Sequence, residues 1–209
     1  TNCIYRKMRE LVQSGEYGQI KRTNWIITNW FRSQVYYDSG DWRATWSGEG
    51  GGVLLNQCPH QLDLWQWICG LPVKVKAFVH EGKWHDIEVE DDVTAYMEFE
   101  NGATGTVSGS TCTYPGFERT FEILGTEGCA ILRENKIEKL VVHGETLIDG
   151  IEEEGFAGGT ADPAAIDTLV HKKQLKNFIK AVFGEEELLI DATEGKRAVK
   201  LIREIYTNK

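Results

Sequence analysis

Long apolar runs, a basic surface and paired cysteines are all missing from this chain of 209 residues. No stretch approaches the ~20 consecutive apolar residues of a membrane-spanning helix, and no signal-peptide pattern is present, so no membrane partner is expected. Lys and Arg number 23 against 32 Asp and Glu, a net charge of -9. That balance argues against nucleic acid or an anionic lipid surface as a partner, because either would need a basic face. The five cysteines, at 3, 58, 69, 112 and 129, are odd in number and form no close CxxC pair. A zinc site or a disulfide framework is therefore not expected, and a reducing cytoplasm is the simplest setting. A dinucleotide fingerprint is absent too. Gly48-Glu49-Gly50-Gly51-Gly52-Val53 lacks the last glycine of GxGxxG at the required spacing and has no run of parallel-strand and helix units around it.

What is present suffices for one domain. The chain is 41% hydrophobic and 11% aromatic, enough to bury a substantial core. Ile4, Met8, Leu11 and Val12 recur at helical spacing until Gly15 and Gly18 stop the helix. From Ile20 to Phe31 the text is β-like and apolar on both faces, which suits a strand covered on both sides. Residues 32–49 are polar and aromatic without a clear period and carry Arg32, Tyr36, Tyr37, Trp42, Arg43 and Trp46. Alternation then predicts strands through Val73–Val79, Val93–Phe99 and Ala103–Cys112, with Asn101-Gly102 as a hairpin turn. A further hairpin spans Arg119–Leu124 and Cys129–Arg133, and Ile137–Val142 adds a last strand. Residues 149–163, acidic and glycine-rich, read as a surface loop. Two helices close the chain. Ile166, Leu169, Val170, Phe178, Ile179 and Val182 stripe the first; Asp191 and Glu194 open the second, whose core face is Ala198, Leu201, Ile202 and Ile205. The expected class is α+β: an open, mainly antiparallel sheet with helices packed on one face.

Function concentrates between Gly50 and Asp63, GGGVLLNQCPHQLD. Pro59 is pre-set for the first turn of a helix that runs through Leu62, Trp65 and Ile68 to Gly70. His60 therefore falls in that first turn, at the mouth of a glycine-rich loop, where an imidazole on a rigid element suits proton transfer. Gly51 and Gly52 let the backbone bend tightly or approach a neighbour closely. Asp63 has two readings, as support for the histidine or as a cap on first-turn amides favoured by the helix dipole. A metal held by Cys58, His60 and Asp63 is not expected, because a proline separates sulfur from imidazole and no fourth ligand is evident. Tyr37 and Trp42 offer ring faces to a ligand, and Arg32 or Arg43 could hold its hydroxyls or a carboxylate. His80, His85 and His143 read as surface or loop residues.

Three blocks, GEGGGVLLNQCPHQLDLWQWICGLP (Gly48–Pro72), EVEDDVTAYMEFENGATGTVSGS (Glu88–Ser110) and FEILGTEG (Phe121–Gly128), are similar to the carboxy-terminal domain of the Gfo/Idh/MocA oxidoreductases. The tail LIDATEGKRAVKLIREIY (Leu189–Tyr206) resembles the terminal helix of that family. The resemblance implies a single substrate-binding and oligomerisation domain over residues 1–209, with residues 1–18 a helix linking to an absent N-terminal Rossmann domain. That absent domain would bind NAD or NADP, and the open face of the sheet would pair copies into a homo-oligomer. It also implies His171 as a substrate contact, Asp63 as structural support, and a sugar, sugar derivative or cyclitol as substrate. The family motif places an aspartate four residues before the histidine, where this chain has Asn56.

Hydride removal from a carbinol carbon needs a base within ~3 Å of the hydroxyl, and an imidazole meets that need at neutral pH. The expected roles are thus His60 as general acid/base and Asn56 as a neutral group that orients the ring or bonds the substrate. His60 should then be a weaker base than in relatives bearing aspartate. Without the cofactor side of the cleft, this chain alone should be inactive. A nicotinamide-assisted glycoside hydrolase of the same superfamily and a non-catalytic carbohydrate-binding module are the alternatives.

Overall fold

The computed structural model describes residues 3–134, 136–148, 151–152 and 169–209. Apart from 151 and 152, the loop expected at 149–163 lies outside the described residues, as does Ile166. The alternating segments become nine strands: β1 (Ile20–Ile27), β2 (Lys74–Glu81), β3 (Glu90–Glu98), β4 (Thr104–Ser110), β5 (Thr120–Gly125), β6 (Gly128–Arg133), β7 (Lys136–Val142), β8 (Glu145–Ile148) and β9 (Ile151–Glu152). They form one open sheet in the order β2-β3-β4-β1-β5-β6-β7-β8, with β9 also on β7. Neighbours are antiparallel except β1 and β4, which run parallel with Trp25 beside Val107. The expected open, mainly antiparallel α+β sheet is the observed one, with a single parallel seam. The sequence carries no sign of that seam, because alternation specifies a strand and not its neighbour.

Six helices accompany the described strands. α1 (Cys3–Gln13), α4 (Pro59–Cys69) and α6 (Ala192–Thr207) pack together against one face of the sheet. α2 (Gln34–Tyr37) and α3 (Val53–Asn56) are single turns in the long crossing from β1 to β2, and α5 (Leu169–Val182) precedes α6. The core lies between sheet and helices. Trp25 stacks between Tyr5 of α1 and Phe121 of β5, with centroids 6.2 and 4.2 Å away. Beside it the Trp65 indole N–H donates to Thr23 Oγ1 at 3.0 Å, which satisfies one of the few polar groups at that depth. Strand β4 is thin on this face for a reason. A Cβ on Gly105 would lie 2.9 Å from the Trp65 ring and 3.0 Å from Phe99, so only glycine leaves room for the indole.

Two expectations need correction. β1 is not covered on both faces, because Ile26 is 46% exposed on the far side of the sheet, in register with Ser108 and Thr120. Phe78 and Tyr96 are exposed on that same side. The stripe Phe178, Ile179 and Val182 does not enter the core either; all three are exposed. Helical period defines a stripe but not what covers it. By contrast Ala198, Leu201, Ile202 and Ile205 of α6 are buried, and the Asp191 carboxylate accepts from Glu194 N at 2.9 Å as an N-cap. No described helix is long and apolar enough to cross a membrane.

Candidate active site

The glycine loop is fixed by a carboxylate that the sequence reading did not single out. Glu90, at the start of β3 and 1% exposed, accepts from Gly52 N at 2.9 Å, Leu54 N at 3.0 Å and the Tyr206 hydroxyl at 2.7 Å. It thereby caps the first amides of α3 from outside the helix, where the helix dipole favours negative charge. Burial raises the Glu90 carboxyl above its ordinary value, an effect that its hydrogen bonds from Leu54, Tyr206 and Gly52 only partly oppose. Burial, followed by the neighbouring Glu90 charge, pushes the Tyr206 phenol up as well. The glycines permit this closeness. A Cβ on Gly52 would run into the Glu90 carbonyl, and one on Gly51 into the Tyr206 hydroxyl. Their room is taken by protein, not by a ligand.

From this anchor the chain passes through α3 to Cys58, which occupies the N-cap of α4 without a side-chain cap bond, and Pro59 begins the helix. His60 follows in the first turn and is exposed, its ring making no hydrogen bond among the described residues. Asn56 is also exposed, but it ends α3 while His60 is the second residue of α4, with Gln57, Cys58 and Pro59 between. The four-residue spacing therefore does not fall on one helix, and no hydrogen bond joins the two side chains. Next to His60, Gln61 is buried; with its amide oriented to donate to the Gln57 carbonyl (3.1 Å), it accepts from Arg119 at 2.7 Å. Arg119 is in turn paired with Glu134. Asp63 accepts from the Gln66 side chain at 3.1 Å and caps no first-turn amide.

The segment after β1 runs on beside the end of β4. Arg32 N donates to the Thr111 carbonyl at 2.9 Å, just beyond the strand, while a Cβ on Gly109 would lie 3.0 Å from Cys58 Sγ. The end of β4 is thus where the arginine-bearing segment and the His60 helix converge. Tyr37 donates to Thr111 Oγ1 at 3.0 Å, and burial pushes its phenol up to about 12. Arg43 is stacked between rings, 4.5 Å from the centroids of both Tyr36 and Trp42, and it donates to Ser39 Oγ and the Tyr36 hydroxyl. Arg32 lies over Tyr36 as well, at 4.8 Å. His171 is apart from this group. It is exposed on α5 near Leu175 and Lys172, and no hydrogen bond or ring contact links it to His60 or Arg43.

His85 lies in a loop, as expected, but its side chain is not at the surface. Its side chain is 8% exposed, with Nδ1 3.1 Å from Asp91 Oδ2 and Nε2 3.0 Å from the Arg32 carbonyl. The wholly buried Asp91 also accepts the N–H groups of Lys83, Trp84 and His85. This clasp ties the β2–β3 loop to the Arg32 segment, and the ring of Tyr37 stands edge-on to His85 at 5.0 Å. With Cys112 the pair brings three donor atoms within 4.8 Å of one another, the arrangement among the described residues that most resembles a metal set. Both Asp91 oxygens are already taken by amides, and burial raises the Cys112 thiol to about 11, so the cluster serves the fold better than an ion. A signal for one of these two carboxylates was present in the sequence. Asp91 falls in phase with Val93, Ala95 and Met97, and a charge at such an inward position needs donors from elsewhere; the burial of adjacent Glu90 comes with the register shift at the start of β3, which alternation does not show.

A family model described as the GFO/IDH/MocA C-terminal domain matches residues 5–131. The chain belongs to that family. Among solved structures it is similar to the WlbA dehydrogenase from Bordetella pertussis, in complex with NADH and UDP-GlcNAcA, at 26% identity and a TM-score of 0.80. The match covers 100% of this chain and 57% of that one. The WlbA enzyme from Chromobacterium violaceum, in complex with the same two ligands, matches at 27% identity and 0.80, again over 100% and 57%. Levoglucosan dehydrogenase, in complex with NADH and levoglucosan, shares the fold at 19% identity and 0.73, over 98% and 62%. This chain thus spans less than two thirds of the length of each. No curated protein matches.

Proposed function

We propose that this chain is the substrate-side domain of a family dehydrogenase that oxidises or reduces a hydroxyl-bearing carbon of a sugar derivative, with His60 as general acid/base. One observation carries the proposal: a solvent-open imidazole on the first turn of a buried helix, behind a loop pinned by Glu90, at the sheet end where Arg32 and Tyr37 also gather. The NADH and sugar ligands of the two WlbA structures support the same reading.

NAD, when bound, would supply the hydride acceptor, yet the described residues form no phosphate cradle for it. The glycines that could approach a pyrophosphate are filled against Glu90 and Tyr206. The part of this chain is to hold the substrate and move its proton. As the carbinol carbon loses hydride, its hydroxyl proton passes to His60, so charge does not accumulate on carbon. Tyr37 and Trp42 offer ring faces to a pyranose, and Asn56, a neutral amide, leaves His60 without the carboxylate that would favour imidazolium. Asp63 and the two glycines support the helix that carries the base. A second copy covering the open face around Ile26, Phe78 and Tyr96 would make the protein a homo-oligomer. The unpaired thiols of Cys58, Cys69, Cys112 and Cys129 suit a reducing cytoplasm.

The test is NADH formation by the full-length protein with a panel of sugars, sugar acids and inositols. Turnover that falls by about 10²–10⁴ in His60→Ala, with NADH binding retained, is the expected result. Cleavage of a glycoside without net NADH would favour the hydrolase, and an intact protein inert to every substrate would favour a binding module. The isolated chain is expected to be inactive.

A further inference from the structure

Arg32 and Arg43 share the Tyr36 ring, and among the described residues neither is paired with a carboxylate. Arg119, Arg133 and Arg197 each pair with a glutamate; Arg9 and Arg22, also without an ion pair, stand singly, on Trp67 and on Asn24, and share no ring with a second arginine. Among the described residues neither Arg32 nor Arg43 makes an ion pair, although the chain carries a net charge of -9. Acidic side chains are at hand and turned to other donors. Glu49 accepts Ala44 N, Glu88 accepts Trp46 N, Asp38 accepts from Gln34, and Asp91 closes the His85 clasp. A guanidinium has five N–H donors. Arg43 uses one on Ser39 Oγ and one on the Tyr36 hydroxyl, Arg32 uses one on the Phe31 carbonyl, and Arg32 Nε is covered by protein with no acceptor. Stacking on Tyr36, Trp30 and Trp42 fixes the planes of both groups without neutralising them. Each guanidinium is thus held in a fixed plane without a counter-charge, which suits planar recognition of an oxyanion.

We propose that Arg32 and Arg43, flanking Tyr36, form an oxyanion subsite, and that the ligand of this domain carries a carboxylate or phosphate group. This rests on the sugar-dehydrogenase reading and deepens it by naming an anionic sugar derivative over a neutral one. The hydroxyl that reacts is handled by His60; the arginines hold the charged substituent and fix which carbon faces the base.

Calorimetric titration of the full-length protein tests this, with glucose, glucuronate and UDP as probes at two salt concentrations. The expected result is at least tenfold tighter binding of one anion than of glucose, weakened by salt and reduced about tenfold or more by Arg43→Gln or Arg32→Gln. Arg43→Lys should keep part of the affinity. Preference for glucuronate assigns a carboxylate, and preference for UDP assigns phosphate. Equal binding of glucose and both anions by the unmodified protein overturns the subsite, and so does anion affinity unchanged in variants that melt normally. The readout does not depend on turnover. NADH formed from neutral sugars with no anion preference removes the subsite and leaves the dehydrogenase; tight anion binding without any NADH formation does the reverse.

Discussion

Replacing Glu90 should disturb both stability and the candidate site, and the size of the effect can be worked from its contacts. Glu90→Ala leaves Gly52 N–H, Leu54 N–H and the Tyr206 hydroxyl without their acceptor, at positions where water has little access. An orphaned buried donor costs about 1–3 kcal/mol, so three of them cost at least about 3 kcal/mol, the helix cap being included in the two amides. Against this, the substitution removes a carboxyl whose burial opposes its charge, so the net loss expected is about 3–4 kcal/mol. Glu90→Gln keeps one acceptor oxygen and should cost about half as much. The pH dependence gives a sharper check. The folded-state value lies above the ordinary 4.5, so the stability that Glu90 contributes is complete below pH ~4.5 and declines as pH rises through the raised value. Denaturant unfolding of the wild type and Glu90→Gln across pH 4–8 should therefore show a gap that narrows with rising pH. A gap that widens would mean that the three donors outweigh burial, and the account given of this carboxylate would be refuted.

Four further outcomes can be checked directly. Gly52→Ala drives a methyl into the Glu90 carbonyl and should cost more than about 2 kcal/mol or prevent folding, whereas Gly144→Ala, with open space around it, should pay only for its positive φ; thermal melts compare them. Tyr206→Phe removes one of the three donors to Glu90 and should cost about 1 kcal/mol by denaturant unfolding. Burial raises the Cys58 thiol strongly and that of Cys69 to about 12, so neither should react with a thiol reagent at pH 8 until the protein unfolds. Asn56→Asp should move the acidic limb of the NADH-formation rate profile of the proposed dehydrogenase to higher pH, because the base must be deprotonated to accept the hydroxyl proton and a carboxylate nearby favours its protonated form; an unmoved limb would show that residue 56 does not sense the ring.

Much of the fold was legible because it depends on local pattern. Asn101-Gly102, the Pro59 start, the Gly70 stop and the Asp191 cap each impose a backbone choice, and the structure adopts all four. Non-local facts were not legible. Nothing in Ile20–Ile27 says that it lies between β4 and β5, nothing in Phe178–Val182 says that the stripe stays exposed, and the bond between Glu90 and Gly52 joins residues far apart in the chain. The candidate site was legible in part. His60 and Asn56 emerge on a short motif, but their placement on separate helices depends on how Gln57 and Cys58 turn. His85 looked superficial because its loop is polar; the buried Asp91 beneath it becomes visible only once β3 is in place.

The parallel seam has a consequence for assembly. β4 and β5 follow one another in the chain, yet β1 is wedged between them, so the β2–β4 and β5–β8 ribbons have no shared edge until residues 20–27 arrive. Those residues come from far upstream, and the loop they close carries a large entropic cost. Formation of a continuous sheet should thus wait on one insertion event, and a lesion in that wedge would split the domain into two halves rather than loosen it evenly.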